Sequence, residues 1–144
     1  MSISSVNATA GFEIVPGYVL QRKIGSGGYG EVWLADAPGG LRKAVKLVYG
    51  TMTEMHAMNE LRSLRRILTV NHPFLLSLER IEVVDGQLIV ITELADASLL
   101  DRFHEFKSKN ECGIPRDRLL HYLRDAAEAL DFLCQRHDLQ HLDI

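Results

Sequence analysis

Apolar and polar positions alternate with a period of two along much of the first half of this chain. Tyr18–Ile24 and Glu31–Ala35 are rich in β-formers and flank the glycine-rich run Gly25–Gly30; after the turn Ala37–Gly40 comes Lys43–Val48. The simplest arrangement is three strands joined as hairpins. From Thr53 to about Thr69 the period lengthens: Ala57, Leu61, Leu64 and Leu68 recur at spacings of four, three and four, which predicts a helix with one buried face. Thr53 can cap it, Arg62, Arg65 and Arg66 fall mostly off the buried face, and Asn71-His72-Pro73 stops it. Strands are predicted again at Phe74–Val84 and Gln87–Thr92, joined at Asp85-Gly86, a strong hairpin signal.

After the connector 93–97 the pattern is helical to near the end. Ser98 caps a short helix running to about Lys107, and a polar loop spans 108–113. Pro115 then opens a long helix, Arg116 to Arg136, whose stripe is Leu119, Leu123, Ala126, Leu130 and Leu133, widened by Ala127 and Cys134. Residues 1–15, small and polar, read as a flexible segment. The fold class is α+β: five antiparallel strands with one inserted helix, then helices.

Composition narrows the function classes. The 144 residues are 47% hydrophobic and 24% charged, as expected of a globular chain. Sixteen Lys and Arg against nineteen Asp and Glu give a net charge of −3, without the basic field that nucleic acid or anionic lipid would require. No apolar run is long enough to span a bilayer, no secretory leader is visible, and Cys112 and Cys134 lack a CxxC spacing. The expectation is a cytoplasmic protein with no nucleic-acid or membrane partner. Cys112 reads as a loop thiol, and Cys134 and Trp33 as packing residues. His137 and His141 have helical metal-ligand spacing but no patterned third ligand, so no metal site is assigned.

Three features carry candidate chemistry. Gly25-x-Gly27-x-x-Gly30-x-Val32 lets backbone N–H groups approach a polyphosphate without Cβ obstruction. A strand follows these glycines, which excludes a dinucleotide-binding βαβ unit, where a helix must follow. Read alone, the run is equally a glycine-rich hairpin turn. Lys46, in Ala44-Val45-Lys46, points to the strand face opposite Val45 and Leu47. An acid on the next helix, Glu60 or Glu54, flanks its apolar face, and periodicity does not choose between them.

The order of these pieces, continued by His72-Pro73-Phe74-Leu75 and by Leu88-Ile-Val-Ile-Thr92-Glu93-Leu94-Ala95, resembles the small lobe of a eukaryotic-type protein kinase. The run Leu139-Gln-His-Leu-Asp143-Ile144 resembles the start of that family's catalytic loop, in its bacterial serine/threonine members above all. The resemblance covers roughly Pro16 to Ile144. It implies a small lobe over 16–95 and a partial large lobe over 96–144, with ATP as cofactor and a protein hydroxyl as substrate. Ile24, Gly25, Ser26, Gly27, Gly28, Tyr29, Gly30 and Val32 would cover ATP, Tyr29 capping the phosphates. Lys46 would hold the α- and β-phosphates and pair with Glu60, which the following Leu-x-x-Leu favours over Glu54. Ala44 would pack on adenine, Thr92 would be the gatekeeper, and backbone groups of Glu93 and Ala95 would bond the base. Asp143 would accept the substrate hydroxyl proton.

Two departures stand out. Leu142 replaces the usual Arg before the catalytic Asp, which puts control by a phosphorylated activation loop in doubt. The sequence also ends one residue after Asp143, before the Asn and the Asp-Phe-Gly motif that bind Mg²⁺ in the family. The expectation is therefore that the 144-residue chain does not itself phosphorylate protein, and that a partner covers the apolar stripe of the Pro115–Arg136 helix. The alternatives are a non-catalytic nucleotide- or partner-binding module and a non-functional gene fragment.

Overall fold

A computed structural model describes residues 8–28, 30–48 and 65–139. The strands are β1 (Glu13–Val15), β2 (Tyr18–Gly27), β3 (Gly30–Ala37), β4 (Leu41–Val48), β5 (Leu78–Val84) and β6 (Gln87–Glu93). They form one antiparallel sheet in the order β1-β2-β3-β4-β6-β5. Residues up to Asn71 together with Leu76–Leu94 make one compact unit, and His72–Leu75 with the residues from Ala95 onward make a second.

Alternation decides which face of the sheet is buried. Trp33, Val45 and Ile91 lie in one register row, and Leu47 and Ile89 in the next. All belong to the core, with Leu20, Val45, Leu47, Ile89 and Ile91 below 2% exposure. The sheet is strongly curled. β2 and β5 are separated by three strands, which in a flat sheet would put them roughly 19 Å apart. Yet the Tyr18 hydroxyl donates to Glu79 Oε1 at 2.5 Å, and Val84 packs on the same core as Tyr18.

That contact closes a polar network. Lys43 Nζ lies 2.6 Å from the Glu79 carboxylate, and the Arg80 guanidinium lies 6.0 Å from the Tyr18 ring centroid. Hydrogen bonds from Lys43 and then Tyr18 hold the Glu79 carboxyl below its ordinary value, and the Glu79 hydrogen bond raises the Tyr18 phenol. A depressed carboxyl stabilises the fold above its unfolded pKa and loses that contribution as pH falls through the folded value. A raised phenol contributes below pH 10.0 and loses its share as pH rises through the folded value. Denaturant midpoints measured across pH should therefore fall at both ends, and Glu79→Gln should flatten the acid limb. An unchanged acid limb in that variant would show the network to be energetically silent.

The structure corrects several readings. The sheet has six strands rather than five, because Glu13–Val15 pairs with Tyr18-Val19. Ile14 and Val15 are buried and Ala8 packs on the core, so residues 8–15 are ordered against the sheet. The cause is tertiary: two apolar residues in a polar stretch join a core built from distant strands. The strand predicted from Phe74 begins only at Leu78. His72–Leu75 forms a turn, with Leu75 N–H donating to His72 O and Phe74 N–H to His72 Nδ1. Residues 65–68 are helical, in agreement with the end of the predicted Thr53–Thr69 helix; the remainder of that helix lies outside the described residues.

In the second unit, α1 (Leu99–Ser108) starts with a reciprocal capping box between Ser98 and Asp101. α2 (Arg116–His137) follows Pro115 and ends at Asp138 in the left-handed conformation. The His72 ring stacks on Phe132 at 4.7 Å, with Nε2 3.9 Å from Glu128. The predicted α2 stripe is not continuous: Leu119, Leu130 and Leu133 are half-buried, Leu123, Ala126 and Ala127 are exposed, and the fully buried residue is Ala129. Cys134, expected in the core, is exposed, as is Cys112.

Candidate functional site

The face of the sheet opposite the core carries the candidate site. Gly25, Val32, Lys46 and Val90 occupy one register row. Leu34, Ala44 and Thr92 occupy the adjacent one. Paired residues of neighbouring antiparallel strands share a face, so Val32, Ala44, Lys46 and Thr92 project together, away from Val45 and Leu47. Lys46 is exposed, and no carboxylate among the described residues is paired with it.

Simple alternation along β2 would not have produced this row. The pairing of β2 with β3 slips between Leu20 and Arg22 and again between Lys23 and Gly25, leaving Gln21 and Ile24 as extra residues. Each bulge turns the following residues by one face. The second therefore puts Gly25 opposite Val32 on the Lys46 face, while Lys23 stays opposite Trp33 on the core face. Ile24, at the bulge, is 41% exposed.

Its glycines do different work. Gly27 pairs with Gly30 at the tip of the hairpin. A Cβ added at Gly27 or Gly28 would meet nothing within 4 Å, so packing does not require glycine there and the space above the backbone is open. Gly30 differs: its φ is +154°, and a Cβ there would lie 2.2 Å from the Leu47 carbonyl oxygen. That glycine exists for the close approach of β3 to β4. The open positions suit an anion that must reach backbone N–H groups, and Lys46 is an exposed cation in the row of Gly25 and Val32.

At the end of β6 the Thr92 hydroxyl donates to the Glu93 carbonyl oxygen at 3.0 Å. Glu93 is clipped to the chain ahead of β5 at two points. Its N–H donates to Ser77 O at 2.9 Å, and its carboxylate accepts from Ser77 N–H at 3.3 Å. Ala95 belongs to the second unit. Tyr29, Glu60 and Asp143 lie outside the described residues.

A cluster on the opposite side of the hairpin carried no signal in the sequence. The Glu31 carboxylate pairs with Lys23 Nζ and accepts from the Trp33 indole N–H at 2.7 Å. Lys23 Nζ also lies 5.6 Å from the Trp33 ring centroid. Burial pushes the Glu31 carboxyl up, but the hydrogen bonds from Lys23 and Trp33 outweigh it and hold the group below its ordinary value. Lys23 and Glu31 meet because Lys23 pairs with Trp33, two residues from Glu31 on the same face of β3, a register that spacing along one strand does not give. Among the described residues no three His, Cys, Asp or Glu side chains gather as metal ligands, and no helix is long and apolar enough to cross a membrane.

A profile of the protein tyrosine and serine/threonine kinase family matches residues 18–144. Among solved structures, the chain is similar to the kinase domain of PknI from Mycobacterium tuberculosis, with 25% identity and a TM-score of 0.75 over 95% of this chain and 55% of that one. A doubly substituted form of the same domain matches at 26% identity and a TM-score of 0.76, over 95% and 54% of the two chains. The chain thus spans about half the length of the kinase domains it matches.

Proposed function

Because the chain belongs to the protein tyrosine and serine/threonine kinase family, we propose that its small lobe, residues 16–95, binds ATP and serves transfer of the terminal phosphoryl group to a protein serine or threonine. The observation that carries this is the register placing Gly25, Val32 and Lys46 in one row and Ala44 and Thr92 in the next, on the face opposite Val45, Leu47 and Ile91. Phosphoryl transfer asks a protein mainly for positioning and charge stabilisation, and these residues are of the types that supply both. The glycine backbone and Lys46 bind the phosphates. Val32 and Ala44 offer an apolar surface for adenine, and the Glu93 carbonyl accepts from its amino group. Glu60 fixes Lys46, and Asp143 accepts the hydroxyl proton, on the strength of the family's motifs alone.

Mg²⁺ accompanies ATP throughout this family and neutralises phosphate charge when bound. The described residues do not gather ligands for it, so the reading rests on the lobe's own groups. The serine/threonine preference is supported by the run 139–144, which resembles bacterial members of that class. A cytoplasmic location goes with use of ATP as cofactor.

Titration calorimetry with ATP, and with adenosine as competitor, tests the reading. Saturable 1:1 binding that adenosine displaces is expected. Ala44→Phe should abolish displacement, because the added ring occupies the space assigned to the base between Leu34 and Thr92. Absence of ATP binding to the folded chain would sink the reading; binding without phosphoryl transfer to protein would favour a non-catalytic nucleotide module.

A further inference from the structure

The Lys23–Glu31–Trp33 cluster lies outside the face assigned to ATP, yet it spans the two strands whose tip is the glycine loop. Glu31 pairs with Ser26 in the register, one step from the Gly27–Gly30 pair that closes the hairpin. Its carboxylate reaches back along the hairpin to Lys23, beyond the bulge at Ile24, and to the Trp33 indole, whose ring is buried in the core. The Glu31 side chain is 14% exposed and that of Lys23 45%, so the carboxylate is shielded from solvent while the ammonium is half open to it, and the indole hydrogen bond adds to what the ion pair alone would supply. One carboxylate thus ties the glycine-rich end of a hairpin to a residue anchored in the core.

We propose that Glu31 is a positioning residue, which clasps the two strands of the glycine loop through Lys23 and Trp33 and holds the loop in the shape that receives the ATP phosphates. Physical need supports this assignment. The residues from Gly25 to Gly30 include four glycines, so the loop loses much conformational freedom when it orders on an anion. A clasp at its base lowers that loss before ligand arrives, which raises affinity without adding a contact to the ligand. The register makes the clasp possible: Glu31 and Trp33 are two residues apart in β3 and Lys23 pairs with Trp33, so the three side chains share a face.

This proposal rests on the ATP reading, and the test separates the two. Amide hydrogen exchange is measured first on the full chain without nucleotide, for wild type, Glu31→Ala, Glu31→Gln and Lys23→Met. Glu31→Ala is expected to speed exchange in the segment Lys23–Glu31 by about fivefold, while amides of Val45 and Ile91 keep their wild-type rates. Glu31→Gln keeps an acceptor for the indole and should fall between wild type and Ala, with Lys23→Met close to Gln. Calorimetry then compares ATP with adenosine. Glu31→Ala should raise the Kd for ATP by about fivefold and leave that for adenosine unchanged, since adenosine lacks the groups the loop receives. Loop exchange that stays at the wild-type rate in Glu31→Ala overturns the clasp, whatever the chain binds. Acceleration spread evenly through β2–β6 also overturns it, by showing a general packing role. Equal losses for ATP and adenosine overturn the link to phosphate. Failure of wild type to bind ATP, with the exchange result as expected, removes the ATP reading and leaves a clasp that stiffens the loop without that ligand.

Discussion

Lys46→Ala is expected to raise the Kd for ATP by about 10- to 100-fold, the range for a charged hydrogen bond worth ~1.5–3 kcal/mol. The fold should be unaffected. Lys46 is exposed, its register neighbours are Val32 and Val90, and the core lies on the other side of β4. A substitution at this exposed strand position should keep the unfolding stability within about 0.5 kcal/mol of wild type. Adenosine binding supplies the control, because the lysine is assigned to the phosphates and not to the base. A Lys46→Ala chain that binds ATP as tightly as wild type would remove the lysine from the site.

The second large effect is on stability. Gly30→Ala puts a methyl group 2.2 Å from the Leu47 carbonyl oxygen, at a φ of +154° that L-residues rarely adopt. The obstacle is backbone in the central pair β3–β4 and has no rotamer with which to yield. A loss of about 2–4 kcal/mol is expected, read as a lower denaturant midpoint. Gly27→Ala is the companion measurement. Its new methyl group meets nothing within 4 Å, so stability should change by less than about 0.5 kcal/mol. ATP affinity should nevertheless fall, because the group stands in the space where phosphate would approach the backbone. If both glycines behave alike in unfolding and in binding, the division of roles between them is wrong.

The two glycines also show where sequence reading stops. In the motif Gly25-x-Gly27-x-x-Gly30 they are equivalent letters. Only the register of β3 against β4 reveals that one answers to a neighbouring carbonyl and the other to open space. The same holds along β2. Alternation predicted a strand ending at Ile24, whereas the strand continues to Gly27 through two bulges that reassign its faces. A bulge is set by the partner strand, and its signature is not periodic. Residues 8–15 depart from the flexible segment expected of them for a related reason. Their polar average hides Ile14 and Val15, whose burial depends on a curl of the sheet that joins elements far apart in sequence.

The helices divide in the same way. Ser98 and Asp101 are a capping box in the sequence and in the structure, since that interaction spans a single turn. The α2 stripe carried no such local guarantee. Which of its positions is buried depends on what lies against the helix, and His72–Leu75, from a distant part of the chain, belongs to that unit.

The sequence by itself determined the order of five of the strands and of the two helices after them, the Asp85-Gly86 hairpin, the family and the set of candidate residues, because these depend on local periodicity, turn chemistry and ordered motifs. Tertiary structure alone decided the sixth strand, the curl that joins Tyr18 to Glu79, the clip from Ser77 to Glu93 and the clasp of Lys23 with Glu31. Each of these depends on pairing register and on contacts between strands, and register is a property of two segments that neither carries alone.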